Sequence, residues 1–81
     1  MPQIDFSPHF KKQFEKADAP FKEKIKRQIE KIIHNPEIGK PMQYTRKGTR
    51  EVYIKPYRLS YFYFKEDHNI LFFDIYHKDD Q

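Results

Sequence analysis

The hydrophobic positions change period once along this chain, from the three-to-four spacing of helices to the alternation of strands. Ile4 and Phe6 flank Asp5 in a short extended segment that Ser7-Pro8 ends. Serine before proline marks a helix start. The hydroxyl takes an orphan backbone N–H, and the proline ring already holds the φ of the first helical position. Phe10, Phe14 and Ala17 then share one helical face. A second helix begins near Ala19-Pro20. Phe21, Ile25, Ile29, Ile32 and Ile33 form its apolar stripe, and Lys22, Lys26, Arg27, Glu30 and Lys31 its polar side. It should stop at His34-Asn35-Pro36, because a residue before proline is pushed out of the helical region. The few residues around Asp18 to Pro20 make the two helices a hairpin.

Pro36 to Gly48 reads as a loop, with two prolines, two glycines and the cations Lys40, Arg46 and Lys47. Three strands follow: Val52 to Lys55, Tyr57 to Phe64, and Asn69 to His77. Their connections, Lys55-Pro56 and Lys65 to His68, are short enough for hairpin turns, which predicts antiparallel pairing. Period two turns Val52, Ile54, Leu59, Tyr61 and Tyr63 to one face. In the last strand it turns Leu71, Phe73 and Ile75 inward and Phe72, Asp74 and Tyr76 outward. Laying the helical stripe on that face gives an α+β fold: an N-terminal strand, a helical hairpin, then a three-stranded antiparallel meander, with both helices on one face of the sheet. The predicted core is Phe21, Ile25, Ile29, Ile32, Leu59, Phe73 and Ile75.

The opposite face then holds Tyr53, Lys55, Arg58, Ser60, Phe62, Asp74 and Tyr76, rimmed by His77, Lys78 and the basic loop. Cations neutralise phosphate and aromatic rings stack on bases, so this surface suits nucleic acid. With 81 residues and a net charge of +4, one domain spanning residues 1–81 is expected, with a shallow site and an anionic partner. Phe62 on a water-facing sheet surface needs cover from a base, a protein partner or a second copy, so a homodimer on this face is one candidate arrangement.

Cysteine is absent, which excludes disulfides and thiolate metal sites. His9, His34 and His68 lack ligand spacing, and Gly39 and Gly48 are isolated, so no metal or cofactor is expected. No apolar run approaches the ~20 residues that cross a bilayer. Met1 to Phe6 has no basic region leading into an apolar one. A cytoplasmic location without a membrane partner is the expectation.

The order of elements, together with Asn35-Pro36, Arg50-Glu51-Val52, Tyr57-Arg58-Leu59-Ser60-Tyr61 and His77-Lys78-Asp79-Asp80, resembles the RelE/ParE superfamily of toxin–antitoxin toxins over nearly the whole chain. In that superfamily the RelE branch cleaves messenger RNA in the ribosomal decoding site and the ParE branch poisons DNA gyrase. A small antitoxin neutralises both. The resemblance implies a cognate acidic antitoxin as partner. Its leading reading is a ribosome-dependent, metal-free mRNA endonuclease that represses translation, with the ribosome and mRNA as partners. The alternatives are a gyrase inhibitor that acts by binding only, and an inert member. By position the resemblance implicates Arg46, Lys47, Arg50, Arg58, His77 and Lys78. Tyr53 stands where the superfamily often has arginine. Many members also carry a terminal tyrosine beyond the point where this sequence ends, a place that Tyr76 or Tyr53 would take.

Metal-free RNA cleavage needs a base for the 2′-hydroxyl, cations for the charge growing on phosphorus, and an acid for the departing 5′-oxygen. His77 is the candidate acid or base, since imidazole titrates near neutral pH; otherwise it is a surface histidine. Arg58 is the candidate phosphate anchor through its planar fork; otherwise it is a cross-strand partner of Asp74 or Glu51. Lys78 adds charge. Arg46, Lys47, Arg50 and Lys55 are candidates for the nucleic-acid backbone, or ordinary solvated charges. Tyr53 and Tyr76 are candidates for stacking, or simply packed strand tyrosines.

Overall fold

A computed structural model of the chain describes residues 1–43 and 47–80. Strand β1 covers Gln3–Phe6 and helix α1 Pro8–Lys16. Ser7 caps α1 as its place before Pro8 predicts. Its Oγ accepts the Phe10 N–H at 3.0 Å and donates to the Phe73 carbonyl at 2.7 Å. One hydroxyl therefore satisfies an orphan donor of the helix and ties the helix start to the last strand. Ser7→Ala should cost about 1–2 kcal/mol, read as a lower denaturant midpoint with an unchanged slope. A midpoint equal to the parent's would remove the cap from the account.

Helix α2 spans Ala19–His34 and is capped by Asp18, which accepts the Phe21 N–H at 3.0 Å. It ends at Asn35, whose N–H reaches the Lys31 carbonyl at 2.9 Å. Proline follows, so the helix cannot continue.

Four more strands complete the sheet: β2 Lys40–Pro41, β3 Thr49–Ile54, β4 Tyr57–Phe64 and β5 Asn69–His77. Their spatial order is β1-β5-β4-β3-β2. The meander β3–β4–β5 is the predicted one. β1 joins it parallel to β5 from Gln3–Asn69 to Phe6–Phe72. β2 pairs antiparallel with the outer edge of β3, Lys40 opposite Glu51 and Pro41 opposite Arg50. This second edge strand lies in the stretch read from sequence as loop. Two residues, one of them a proline, give no alternation to detect.

Phe10, Ile25 and Ile32 from the helices meet Ile54, Leu59, Tyr61, Ile70, Phe72 and Ile75 from the sheet in one buried cluster. Phe21, Ile29, Val52, Tyr57 and Tyr63 are partly buried against it. Both helices thus pack on one face of the sheet, as expected. The last strand corrects the prediction. Phe72 is fully buried, Phe73 is 38% exposed, and Leu71 sits opposite Phe62, away from the core. The cause is a β-bulge. Ser60 pairs with Asp74 but Tyr61 with Phe72, so Phe73 is an extra residue in β5. One extra residue inverts the alternation on one side of it. Ile75, beyond the bulge, keeps its predicted face opposite Leu59; Phe72 and Phe73, before and at it, exchange roles.

The face away from the helices follows from the pairing. Lys40, Glu51, Ser60 and Asp74 form one row across the strands, and Tyr53, Arg58 and Tyr76 form the next. Toward the far end lie Thr49, Phe62 and Leu71, then Phe64. The rings of Phe62 and Phe64 stack at 5.8 Å, and Phe73 meets Phe62 edge-on at 5.4 Å. One end of the open face is therefore polar and the other aromatic.

Candidate functional site

A groove of about 690 Å³ runs from the polar end of the open face to α2. Gln28, Lys31, Ile38, Lys40, Met42, Glu51, Val52, Tyr53, Arg58 and Lys78 line it. Four of these side chains are cationic (Lys31, Lys40, Arg58 and Lys78) and one, Glu51, is anionic. Such a balance makes the groove attractive to an anion. Each strand contributes through its period. Tyr53 and Glu51 are two apart on β3, and Arg58 stands directly opposite Tyr53 on β4. Lys78 follows the end of β5, where its N–H reaches the Pro56 carbonyl at 3.1 Å.

The floor of the groove is a buried carboxylate. Glu51 is 5% exposed. The Tyr76 hydroxyl lies 2.7 and 2.6 Å from its two oxygens and donates to them. Arg58 Nη1 stands 3.6 Å from Glu51 Oε1. A buried charge costs several kcal/mol unless it is paired and hydrogen-bonded, and Tyr76 and Arg58 supply both. Arg58 Nε is buried without a hydrogen-bond partner among the described residues, while the side chain as a whole is about one-third exposed and lines the groove. The guanidinium is held by the carboxylate and still turned toward the groove. Asp74, in the row of Glu51 and Ser60, is met from α1 by His9 Nε2 at 2.9 Å.

The structure brings together three of the residues that the sequence nominates: Arg58, Lys78 and Tyr53, the last about half exposed. It places Tyr76 beneath them as the partner of Glu51. It does not bring His77 to them. His77 pairs with Tyr57, one register step from the Arg58–Tyr76 pair, so its side chain shares the helix-side face. There its ring meets Tyr57 edge-on at 5.4 Å, and Tyr57 packs on Phe21 of α2 at 4.9 Å. His77 Nδ1 accepts the Asp79 N–H at 3.2 Å. Arg50 also points away from the groove. It lies opposite Tyr61, and its Nη1 donates to the Glu37 and Gly39 carbonyls. Lys47 and Lys55 are exposed and are not among the lining residues. Arg46 lies outside the described residues.

Lys40, Lys31 and Glu51 escaped nomination. Lys40 carries a signal only as one cation of a loop, because the strand that aims it is two residues long. Lys31 reads as part of a solvated helix face. Glu51 enters the sequence reading as a possible cross-strand partner of Arg58, which it faces at 3.6 Å, and its burial depends on contacts from other strands.

Among solved structures, the E. coli RelE toxin in its intact RelBE toxin–antitoxin complex superposes with a TM-score of 0.81 at 16% identity, over 95% of this chain and 96% of that one. The isolated E. coli RelE toxin gives 0.80 at 16% identity, over 95% and 84% of the two chains. The RelBE2 toxin–antitoxin complex from Mycobacterium tuberculosis gives 0.81 at 18%, over 96% and 100%. At these identities the likeness is one of fold, and it defines the class: a small α+β domain with the RelE toxin architecture. No curated protein matches the chain by sequence. The model of the ParE toxin family, described as the ParE toxin of the type II toxin–antitoxin system parDE, matches residues 4–81. The chain belongs to this family, within the RelE/ParE superfamily of toxins.

Proposed function

We propose that this toxin is a metal-free mRNA endonuclease that acts on the ribosome and represses translation, and that the basic groove is where it holds the RNA backbone. The observation that carries this reading is the convergence of Lys31, Lys40, Arg58 and Lys78 around a half-exposed tyrosine. Arg58 and Lys78 hold the scissile phosphate and offset the charge that grows on it as the 2′-oxygen attacks. Tyr53 stacks on a base beside it. Lys78 and Tyr53 are the groove's own candidates for proton transfer.

A second reading is a gyrase inhibitor that binds and does no chemistry. Two observations favour it: the matching family model is that of ParE, and the imidazole lies on the other face of the sheet from Arg58. Translating messenger RNA with the purified toxin and mapping cuts, beside a gyrase supercoiling assay, separates the two. Cuts that need ribosomes support the endonuclease; lost supercoiling with intact RNA supports the inhibitor. In the cleavage assay His77→Ala should stay within a few-fold of the parent, with the same pH profile. A loss of about 100-fold with a missing limb near neutrality would return the imidazole to the mechanism.

The partner that silences the toxin is, in this reading, a cognate antitoxin with an acidic segment, as the complexes of its structural relatives with antitoxins suggest. Phe64 and Phe73 are 43% and 38% exposed and form an apolar surface for that segment to cover beside the cationic groove. A second copy of the chain on the same face is the competing arrangement, and the oligomeric state of the free toxin distinguishes them.

A further inference from the structure

Between α2 and β3 the chain runs through a short strap, Pro36 to Lys40, that carries two lining residues of the groove, Ile38 and Lys40. Its own backbone pairing is sparse. β2 has two residues, and the second, Pro41, has no N–H to give to the ladder. Two side chains from the sheet compensate. The Tyr61 hydroxyl, fully buried, donates to the Pro36 carbonyl at 2.7 Å and accepts the Gly39 N–H at 2.9 Å. Arg50 Nη1 donates to the Glu37 carbonyl at 3.0 Å and the Gly39 carbonyl at 2.8 Å. Arg50 Nη2 also stands 3.8 Å from the Glu37 carboxylate. Three strap carbonyls and one strap amide are thus held by one phenol and one guanidinium. The approach is close enough to demand glycine: a Cβ at Gly39 would stand 2.6 Å from Tyr61 Oη. Burial pushes the Tyr61 phenol above its ordinary value, so it stays protonated and keeps its donor.

We infer that Tyr61 and Arg50 are positioning residues that clamp the strap and so fix Lys40 and Ile38 at the groove, an inference that rests on reading the groove as the RNA interface. Arg50 then works through the two N–H groups of its Nη1, one on each carbonyl, with the Glu37 carboxylate beside Nη2. Lysine keeps the charge on a shorter stem and loses the planar orientation of those N–H groups, so Arg50→Lys tests the clamp. Tyr61→Phe removes the hydroxyl and keeps the ring.

Two measurements on the full chain test this: amide hydrogen exchange, and the affinity for a single-stranded RNA oligonucleotide at several salt concentrations. Arg50→Lys and Tyr61→Phe should each speed exchange at Gly39 and Lys40 by about tenfold or more, while the Leu59 and Ile75 amides keep the parent rate. Lys40→Ala should flatten the salt dependence of RNA binding by about 0.7 in slope, the share of one phosphate contact on a single strand. Arg50→Lys should flatten it as much although no charge is lost, and adding Lys40→Ala to Arg50→Lys should flatten it no further. Parent exchange rates at Gly39 in both clamp variants would overturn the inference. So would an Arg50→Lys variant that binds RNA like the parent while Lys40→Ala does not. If Lys40→Ala leaves RNA binding untouched, the groove reading fails, and the Gly39 exchange rates alone decide whether the clamp stands.

Discussion

Arg58→Ala is expected to lower ribosome-dependent RNA cleavage by about 100- to 1000-fold, the usual loss when one preorganised donor to a developing anion is removed. The loss should be the same at every accessible pH, because a guanidinium does not titrate there. Arg58 also faces the buried Glu51 carboxylate at 3.6 Å, so the substitution has a second effect. It removes the Arg58 cation from that carboxylate, which the Tyr76 hydroxyl still holds. The pair is partly solvated on the Arg58 side, so we expect a stability cost of about 1–3 kcal/mol rather than that of a sealed ion pair. Unfolding midpoints must be measured beside cleavage to separate the two effects. Arg58→Lys restores the charge toward Glu51 but not the fork, and should recover more stability than cleavage. An Arg58→Ala protein that folds and cuts at the parent rate would end the endonuclease reading of the groove. If gyrase inhibition is the activity, the same variant should weaken inhibition without any cleavage to lose.

The second large effect concerns the bulge in β5. Phe72 is fully buried, with the rings of Phe6, Phe10 and Tyr61 at 5.3, 5.9 and 6.0 Å. Phe72→Ala should cost about 3–5 kcal/mol, transfer and cavity together. Small domains are held by only about 5–15 kcal/mol, so much of the protein should be unfolded near 37 °C. Phe73→Ala should cost about 1 kcal/mol, since Phe73 is 38% exposed and makes mainly the edge-on contact with Phe62. Equal costs for the two, or a larger one for Phe73, would contradict the register. Plain alternation along β5 predicts that reversed order, so the pair of variants tests the bulge itself.

How far the sequence reaches is visible in these same residues. The helices were legible because their information is local. Ser7-Pro8, Asp18 and Asn35-Pro36 set the ends, and the isoleucine stripe of α2 sets the buried side. The meander was legible from alternation and from two short turns. From these the α+β architecture follows, and with it the choice of Tyr53, Arg58 and Lys78 as residues of one surface. The family resemblance rests on the same local patterns, and the match over residues 4–81 agrees with it.

What the sequence left open depends on contacts between distant segments. A bulge is one unpaired residue in a ladder, and nothing in Leu71-Phe72-Phe73-Asp74 marks which residue it will be; the pairing with β4 decides it. The exchange of Phe72 and Phe73 follows directly. His77 was expected beside Arg58 as a rim residue of the open face, yet one register step puts their side chains on opposite faces. Arg50 was expected at the nucleic acid, yet Gly39 and Glu37 offer its guanidinium carbonyls that only the folded strap presents. Lys40 entered the groove through an edge strand too short to have a period. Helices α1 and α2 and the meander strands are set locally, because caps, prolines and hydrophobic period act within a few residues. That Lys31 and Lys40 join Arg58 and Lys78 in the groove while His77 and Arg50 turn away depends on contacts between segments, because strand register and the strap's clamp act between residues far apart in the chain, and a shift of one residue exchanges the faces of a sheet.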